Sequence, residues 1–146
     1  MDSIRFLGLS ALLILLSGCG SNPTSPTTTT TTTTTVAAAS ISESFESTLP
    51  VSGAKFYSFT VAENGTLNVS LTAVSGQFVP ATVTLGLGVG KPDGTECSTT
   101  TTVNVSTQTA TPHLTGTYAP DVYCVRVFDV GNLFSTASFV VSIAHS

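Results

Sequence analysis

Three cysteines carry the most reactive side chains of this 146-residue chain, and Cys19 differs from the other two in its surroundings. It follows a short start carrying Arg5 and an apolar stretch over residues 6–16, and the small residues Gly18 and Gly20 flank it. An apolar stretch of this length followed by small residues is typical of a secretory signal peptide. It is too short for a membrane-spanning helix, which needs ~20 apolar residues. The sequence therefore predicts an exported chain with a thiol at its cleavage point.

The residues Leu16-Ser17-Gly18-Cys19 resemble the lipobox of bacterial lipoproteins. That resemblance implies that the Cys19 thiol is lipidated and that residues 1–18 are removed just before it. Several acyl chains would hold the protein firmly to a bilayer, at ~0.8 kcal/mol per buried methylene. In lipoproteins of two-membrane bacteria an Asp after this cysteine commonly signals inner-membrane retention, so Gly20 favours the outer membrane. The alternative is an ordinary signal peptide with a chance cysteine near its cleavage site.

Cys97 and Cys124 are the remaining thiols, and their number matters because an odd cysteine in an exported chain needs an explanation of its own. Lipidation of Cys19 would leave these two as a pair in an oxidising compartment, where disulfides form. Such a disulfide would close a loop of about 28 residues and stabilise the fold by ~3–4 kcal/mol in the loop-entropy model. A redox or metal pair is the alternative, but no CxxC spacing supports it. We therefore predict a Cys97–Cys124 disulfide.

Two histidines, His113 and His145, are the imidazoles available for acid–base chemistry. A Ser-His-Asp site needs a histidine held between a nucleophile and a carboxylate, whereas His113 follows Pro112 in a polar segment and His145 is the penultimate residue. No nucleophile-elbow motif occurs, and no cluster of metal ligands accompanies the histidines. We expect both on the surface, and we predict neither a catalytic site nor a cofactor.

Four carboxylates leave calcium open as an alternative to a metal-free domain. Asp93 and Glu96 flank one predicted turn, and Asp121 and Asp129 bracket the predicted strand around Tyr123. Ca²⁺ takes six to eight oxygen ligands, which loop carbonyls and two or three carboxylates can supply. Turn formation explains Asp93 equally well, and solvation of strand ends explains the other three.

The charge pattern excludes one class of partner. Removal of residues 1–18 takes away one acid and one base, so seven acidic residues, three basic residues and a net charge of −4 remain. Nucleic-acid binding needs several bases to neutralise phosphates, and Lys55, Lys91 and Arg126 are too few. The same acidity offers no attraction to anionic lipid, so membrane contact must run through the lipid on Cys19. Charged residues make up 8% of the chain against ~25% in typical domains, so Ser, Thr and Asn must cover much of the surface.

The elements that position these residues belong to one of three parts of the chain. Residues 1–18 are the predicted signal peptide, residues 19–39 a Pro- and Thr-rich tether with nine consecutive threonines, and residues 40–146 one domain. The tether has no apolar periodicity, and such a composition stays disordered. About 20 extended residues reach at most ~70 Å. A domain of the remaining length buries roughly 65% of its unfolded surface, which suffices for a single core.

Alternation of apolar and polar residues predicts strands throughout this domain, with a convincing helical period nowhere. The predicted inward-facing residues are Tyr57, Phe59, Val61, Leu67, Val69, Leu71, Ala73, Val83, Leu85, Leu87, Val89, Val103, Val105, Tyr123, Val125, Val127, Phe139, Val141 and Ile143. An opening strand near residues 41–48 brings the total to about seven or eight. Short strands separated by frequent turns predict an all-β, antiparallel β-sandwich.

Two turns are predicted from their residues. Glu63-Asn64-Gly65 lies between alternating runs, where Asn-Gly is the strongest short-range hairpin signal. Lys91-Pro92-Asp93-Gly94 places Pro and Gly where turn chemistry favours them. The outward-facing Gly86 and Gly88 predict close approach by another backbone.

Residues 53–61 and 65–71, with the later Val122-Tyr123-Cys124-Val125-Arg126-Val127, resemble bacterial pre-peptidase C-terminal domains. That resemblance covers roughly residues 41–145 and implies a secreted jelly-roll β-sandwich that is not itself catalytic. The chain departs from the family's usual setting because no enzyme domain accompanies it, and it lacks the Asp-x-Asp-like segments of many relatives.

Three functions from different classes are compatible with these features. The first is a non-catalytic lipoprotein of the bacterial envelope that presents its β-sandwich to a protein or glycan partner. The second is a carbohydrate-binding module, in which Phe78, Tyr118 and Phe134 at loop-like positions would stack on sugars. The third is a small secreted hydrolase. Exposure of these three rings, and of Phe56 and Phe128, distinguishes a binding face from core packing, which is the commoner place for Phe.

Overall fold

The computed structural model describes Val36 and residues 38–146, so Cys19, the predicted signal peptide and most of the tether lie outside the described residues. In the described part of the chain eight strands form: β1 Ile41–Leu49, β2 Ala54–Val61, β3 Gly65–Ser75, β4 Leu85–Asp93, β5 Glu96–Val105, β6 Leu114–Tyr118, β7 Asp121–Asp129 and β8 Ala137–His145. Within these same residues there is no helix long and apolar enough to cross a membrane.

The strands form two antiparallel sheets that pack face to face. Sheet A has the order β1-β8-β3-β6, and sheet B has the order β2-β7-β4-β5. Each sheet combines early and late strands, so most neighbours in space are far apart in sequence. This interleaved order is that of a jelly roll, an eight-stranded sandwich of two sheets. The predicted all-β antiparallel sandwich is confirmed.

Alternation along each strand builds the core between the sheets. On β8 the side chains of Phe139, Val141 and Ile143 are fully buried, because β8 lies between β1 and β3 and faces sheet B. Aromatic rings join the two sheets: Phe45 of β1 stacks on Tyr57 of β2 at 5.6 Å and meets Phe139 edge-on at 5.1 Å. Burying one such side chain contributes ~1.5–3 kcal/mol.

The hairpin predicted at Glu63-Asn64-Gly65 is wrong. A tight turn does occur there, but β2 pairs with β7 in sheet B, whereas β3 pairs with β6 and β8 in sheet A. The turn therefore carries the chain across the sandwich. Asn-Gly chemistry permits any tight reversal, and burial of the apolar faces decides which strands then pair.

Two further boundaries differ from the sequence prediction. The reversal between β4 and β5 is made by Gly94 and Thr95, with Gly94 at a φ of 59°, and Pro92 lies inside β4. Proline is tolerated because β7 pairs with β4 only as far as Gly90, so Pro92 interrupts no bond to that strand. Tyr118, expected in a loop, ends strand β6.

The Cys97–Cys124 disulfide is present and joins β5 to β7. Between them lies β4, and the register of β5 on β4 shifts at Thr100, which has no partner between Val89 and Gly90. A Cβ at Gly90 would lie 1.9 Å from the Ser98 carbonyl oxygen, so only glycine allows β5 to approach β4 this closely. The predicted backbone approach is not found at Gly86, where the ring of Phe128 occupies the position of a Cβ, whereas a Cβ at Gly88 would lie 3.2 Å from the Thr101 carbonyl oxygen.

The antiparallel order gives the sandwich two distinct ends. At the entry end β1 begins at Ile41, beside His145 of β8. Four connections begin at the loop end, at residues 50–53, 76–84, 106–113 and 130–136, and the segment 106–113 then runs along β3. The nine residues of β8 separate the two ends by roughly 25 Å at the usual rise per residue.

Candidate binding surface at the loop end

Two phenylalanine side chains extend from the loop end into solvent. Phe78 in the β3–β4 loop is 80% exposed, and Phe134 in the β7–β8 loop is 91% exposed. They are the most exposed large apolar side chains in the described part of the chain, and Val51 in the β1–β2 turn is also exposed. Single exposed apolar residues are ordinary, but several at one end of a domain mark an interaction site.

The loops that carry the two rings are held against each other. The hydroxyl of Ser135 donates a hydrogen bond to the carbonyl oxygen of Gln77, so the residues just beside the two phenylalanines are in contact. A Cβ at Gly76 would lie 2.8 Å from the Thr136 carbonyl oxygen, which shows how closely the two loops approach. The loops that carry Phe78 and Phe134 are therefore neighbours at this end of the sandwich.

The backbone of Phe78 is strained. Its φ is 63°, in the left-handed region that glycine favours, and an ordinary side chain there costs roughly 1–2 kcal/mol. Hydrogen bonds from Val79 N–H to Gly76 O (3.3 Å) and from Val83 N–H to Pro80 O (3.0 Å) fold the loop around it. Because the ring is exposed, packing offers no compensation for this strain. Strain of this kind concentrates at functional sites.

Asp129 holds the base of the loop end together. Its Oδ1 accepts hydrogen bonds from the backbone N–H groups of Gly131 (2.8 Å), Asn132 (2.9 Å) and Leu133 (3.2 Å), and its Oδ2 accepts one from Ser52 (2.8 Å). Burial by itself would raise the pKa of Asp129, but these four donors outweigh it and lower the pKa. Asp129, a predicted calcium candidate, thus satisfies backbone donors and fixes two of the loops.

Residues 50–53, 76–84 and 130–136 contain no charged residue, and the carboxylate at their base, Asp129, is bound by backbone N–H groups. Their polar groups are amides and hydroxyls, and some brace the loops: the Asn132 side chain donates to Thr84 O (3.4 Å), and the Gln108 side chain reaches in to donate to Ala81 O (2.8 Å). The surface therefore combines two apolar rings with neutral hydrogen-bonding groups. Such a surface suits a ligand with both apolar faces and neutral polar groups.

The other aromatic residues singled out from the sequence belong to the packed domain. Tyr118 meets Tyr123 edge-on at 5.0 Å, and burial raises its pKa. Phe128 covers Gly86 and lies 5.2 Å from the Arg126 guanidinium, and Phe56 is half-buried. Of the predicted sugar-stacking residues, the structure brings Phe78 and Phe134 together and separates Tyr118 from them.

The four calcium candidates do not converge. Asp93 and Glu96 flank the β4–β5 turn, Asp121 pairs with Lys91 at the start of β7, and Asp129 lies at the other end of that strand. The hydrogen bond from Lys91 lowers the pKa of Asp121. Among the described residues there is no group of three or more His, Cys, Asp or Glu side chains able to hold a metal ion.

The prediction that His145 lies on the surface is wrong. Its side chain is 2% exposed, with Nε2 2.8 Å from Glu43 Oε1 and the ring 5.1 Å from that of Phe59. The Tyr57 hydroxyl donates to the other oxygen of Glu43. The hydrogen bonds from Tyr57 and His145 lower the pKa of Glu43, and the bond to Glu43 raises the pKa of Tyr57. Alternation along β8 was the missed signal, since it puts His145 on the same face as Ile143.

His113 is also more enclosed than expected. Its Nδ1 accepts the backbone N–H of Leu71 at 3.1 Å, and its backbone N–H donates to the Val69 carbonyl oxygen at 2.8 Å. The ring is half-buried, and Nε2 lies within the domain without a hydrogen-bond partner among the described residues. Both bonds attach the segment before β6 to β3, so His113 has a positioning role in the fold.

In comparisons with known proteins, no protein-family model and no curated protein matches the chain.

Proposed function

We propose that the protein is a lipid-anchored, non-catalytic lipoprotein of the bacterial cell envelope, outer membrane favoured, whose β-sandwich binds a partner through the loop end. The anchor is the lipid on Cys19, and the Thr-rich tract is the tether. The resemblance to pre-peptidase C-terminal domains belongs to this proposal, and the jelly-roll strand order supports it.

One observation carries the binding role: the exposed Phe78 and Phe134 lie at the end of the sandwich opposite Ile41, where the tether enters. Attachment at the entry end leaves the loop end free to face away from the membrane. A tether of ~20 residues reaches up to ~70 Å, so the domain has room to meet a partner outside the lipid surface. Among possible partners, the exposed rings favour a carbohydrate.

The test of the anchor uses intact mass and membrane fractionation in a lipoprotein-processing bacterium, comparing wild type with Cys19→Ala. We expect a wild type that is membrane-bound and heavier than the 19–146 polypeptide by several acyl chains, and a Cys19→Ala variant without that added mass. Ser21→Ala, two residues beyond, is the matched control and should behave as wild type. A wild type cleaved near residue 18 and released without lipid would refute the anchor.

A further inference from the structure

The geometry points to a neutral glycan as the ligand of the loop end, with Phe78 and Phe134 stacking against sugar rings. This inference rests on the proposal that the loop end is the binding surface. It does not depend on lipidation of Cys19.

The two rings provide the apolar part of such a site. A pyranose ring has a face of C–H groups and a rim of hydroxyls, so it buries its apolar face on an aromatic ring while the hydroxyls stay available for hydrogen bonds. Phe78 and Phe134 are 80% and 91% exposed, which leaves both rings free for this contact. The Ser135–Gln77 hydrogen bond holds their loops side by side.

The charge of the loop end selects among ligands. Residues 50–53, 76–84 and 130–136 contain no Asp, Glu, Lys, Arg or His. A nucleic acid, an acidic polysaccharide or an anionic lipid headgroup requires cations that these loops lack. The amides of Gln77 and Asn132 and the hydroxyls of Thr82 and Thr136 are instead neutral donors and acceptors, which match the hydroxyls of an uncharged sugar.

A protein partner fits the surface less well. Protein interfaces take most of their binding energy from Trp, Tyr and Arg in a desolvated centre, and these three loops contain none of those residues.

The strain at Phe78 makes protein stability a test that distinguishes a binding role from a structural role. Asn tolerates a φ of 63° better than Phe does, so Phe78→Asn should relieve strain in the free protein while removing the ring. If Phe78 serves binding, replacing it should weaken binding and raise the stability of the free protein. A residue that served packing would lower stability when replaced.

The experiment measures retention of the full chain, solubilised in a detergent without a sugar headgroup, on insoluble cellulose and chitin and on an array of neutral and acidic oligosaccharides. We expect retention on at least one neutral glycan, little change between 50 and 500 mM salt, and at least tenfold weaker binding in Phe78→Asn and Phe134→Ser. Phe78→Asn should also unfold at higher urea concentration than wild type. The control is Val122→Ser, an exposed apolar residue at the entry end, which should bind as wild type.

Three results would overturn the inference: binding to no glycan on the array, stronger binding to acidic than to neutral glycans, or equal binding by wild type and both phenylalanine variants. Failure of the Cys19→Ala test would leave glycan retention unchanged, so the two proposals fail separately. A fourth result would also contradict a specific site: Val122→Ser reducing retention as strongly as Phe78→Asn and Phe134→Ser do.

Discussion

At the scale of single residues, polar groups inside this sandwich are held by partners from distant parts of the chain. Glu43 of β1 accepts hydrogen bonds from Tyr57 of β2 and His145 of β8, which links both sheets at the entry end. At the loop end, Asp129 accepts hydrogen bonds from four backbone N–H groups: the distant Ser52, and Gly131, Asn132 and Leu133 in the loop that follows it. Buried polar groups stabilise a fold only when paired, so each of these carboxylates is a specific structural requirement.

Glu43→Gln should lower the free energy of unfolding by about 1–3 kcal/mol at pH 7, the range for hydrogen bonds to a charged group. The pKa of Glu43 is lower in the folded protein, so its contribution is present above the ordinary Glu pKa and disappears as the pH falls through the folded value. Urea unfolding at pH 7 and pH 3 measures both effects. The difference between wild type and Glu43→Gln should be smaller at pH 3.

The matched control is Glu46→Gln, an exposed carboxyl on the same strand, which should change stability little at either pH. Equal effects of the two substitutions at pH 7 would contradict the role of Glu43 described above.

At the scale of secondary-structure elements, glycines decide how closely strands and rings approach. Gly90 is in close contact with the Ser98 backbone, next to the disulfide that joins β5 to β7. Gly86 is instead covered by the ring of Phe128, a side chain that can move. The sequence predicts close approach at such glycines, but only the structure distinguishes a rigid neighbour from a movable one.

Gly90→Ala should destabilise the domain by about 1–3 kcal/mol, the usual cost of overpacking, because the clash is with backbone that the Cys97–Cys124 disulfide keeps in place. Gly86→Ala should cost less, since Phe128 can turn aside. Thermal unfolding of the two variants under identical oxidising conditions compares them. A larger loss in Gly86→Ala than in Gly90→Ala would show that the β4–β5 contact is the more adaptable of the two.

At the scale of the whole molecule, the strand order separates the proposed attachment point from the proposed binding surface. The chain enters the domain at Ile41, and the exposed phenylalanines lie at the opposite end of the same sandwich. A domain attached at one end needs a tether that supplies reach but no stability. A tract of threonines without apolar periodicity fits that requirement.

Deletion of residues 27–35 should leave the thermal midpoint of the domain unchanged to within about 1 °C, because the composition of this tract predicts no packing against the domain and hence no contribution to its stability. The reach of the tether should fall by up to ~30 Å. Calorimetry of the full chain with and without the tract tests this. Deletion of Ile41–Leu49, which forms a whole strand of sheet A, is the contrasting control and should prevent cooperative unfolding.

Much of the fold was predictable because strands leave a period of two in the sequence. Leu67, Val69 and Leu71 alternate with the polar Asn68 and Ser70, and the structure buries all three apolar side chains. The disulfide was predicted from the number of cysteines and the expected export of the chain, and it is present. Strand pairing was not predictable in the same way: Asn64-Gly65 predicts a tight turn from local chemistry, but the partners of β2 and β3 lie more than forty residues away.

The sequence by itself determined the local properties of this protein: alternating strands, turn positions, the cysteine pair and the absence of charge in the loops. The tertiary structure alone decided which residues meet. It buried His145 against Glu43, separated Tyr118 from the other candidate rings, and brought the loops of Phe78 and Phe134 together. The physical reason is that local conformation depends on neighbouring residues, whereas these contacts depend on how two sheets, assembled from distant strands, bury their apolar faces together.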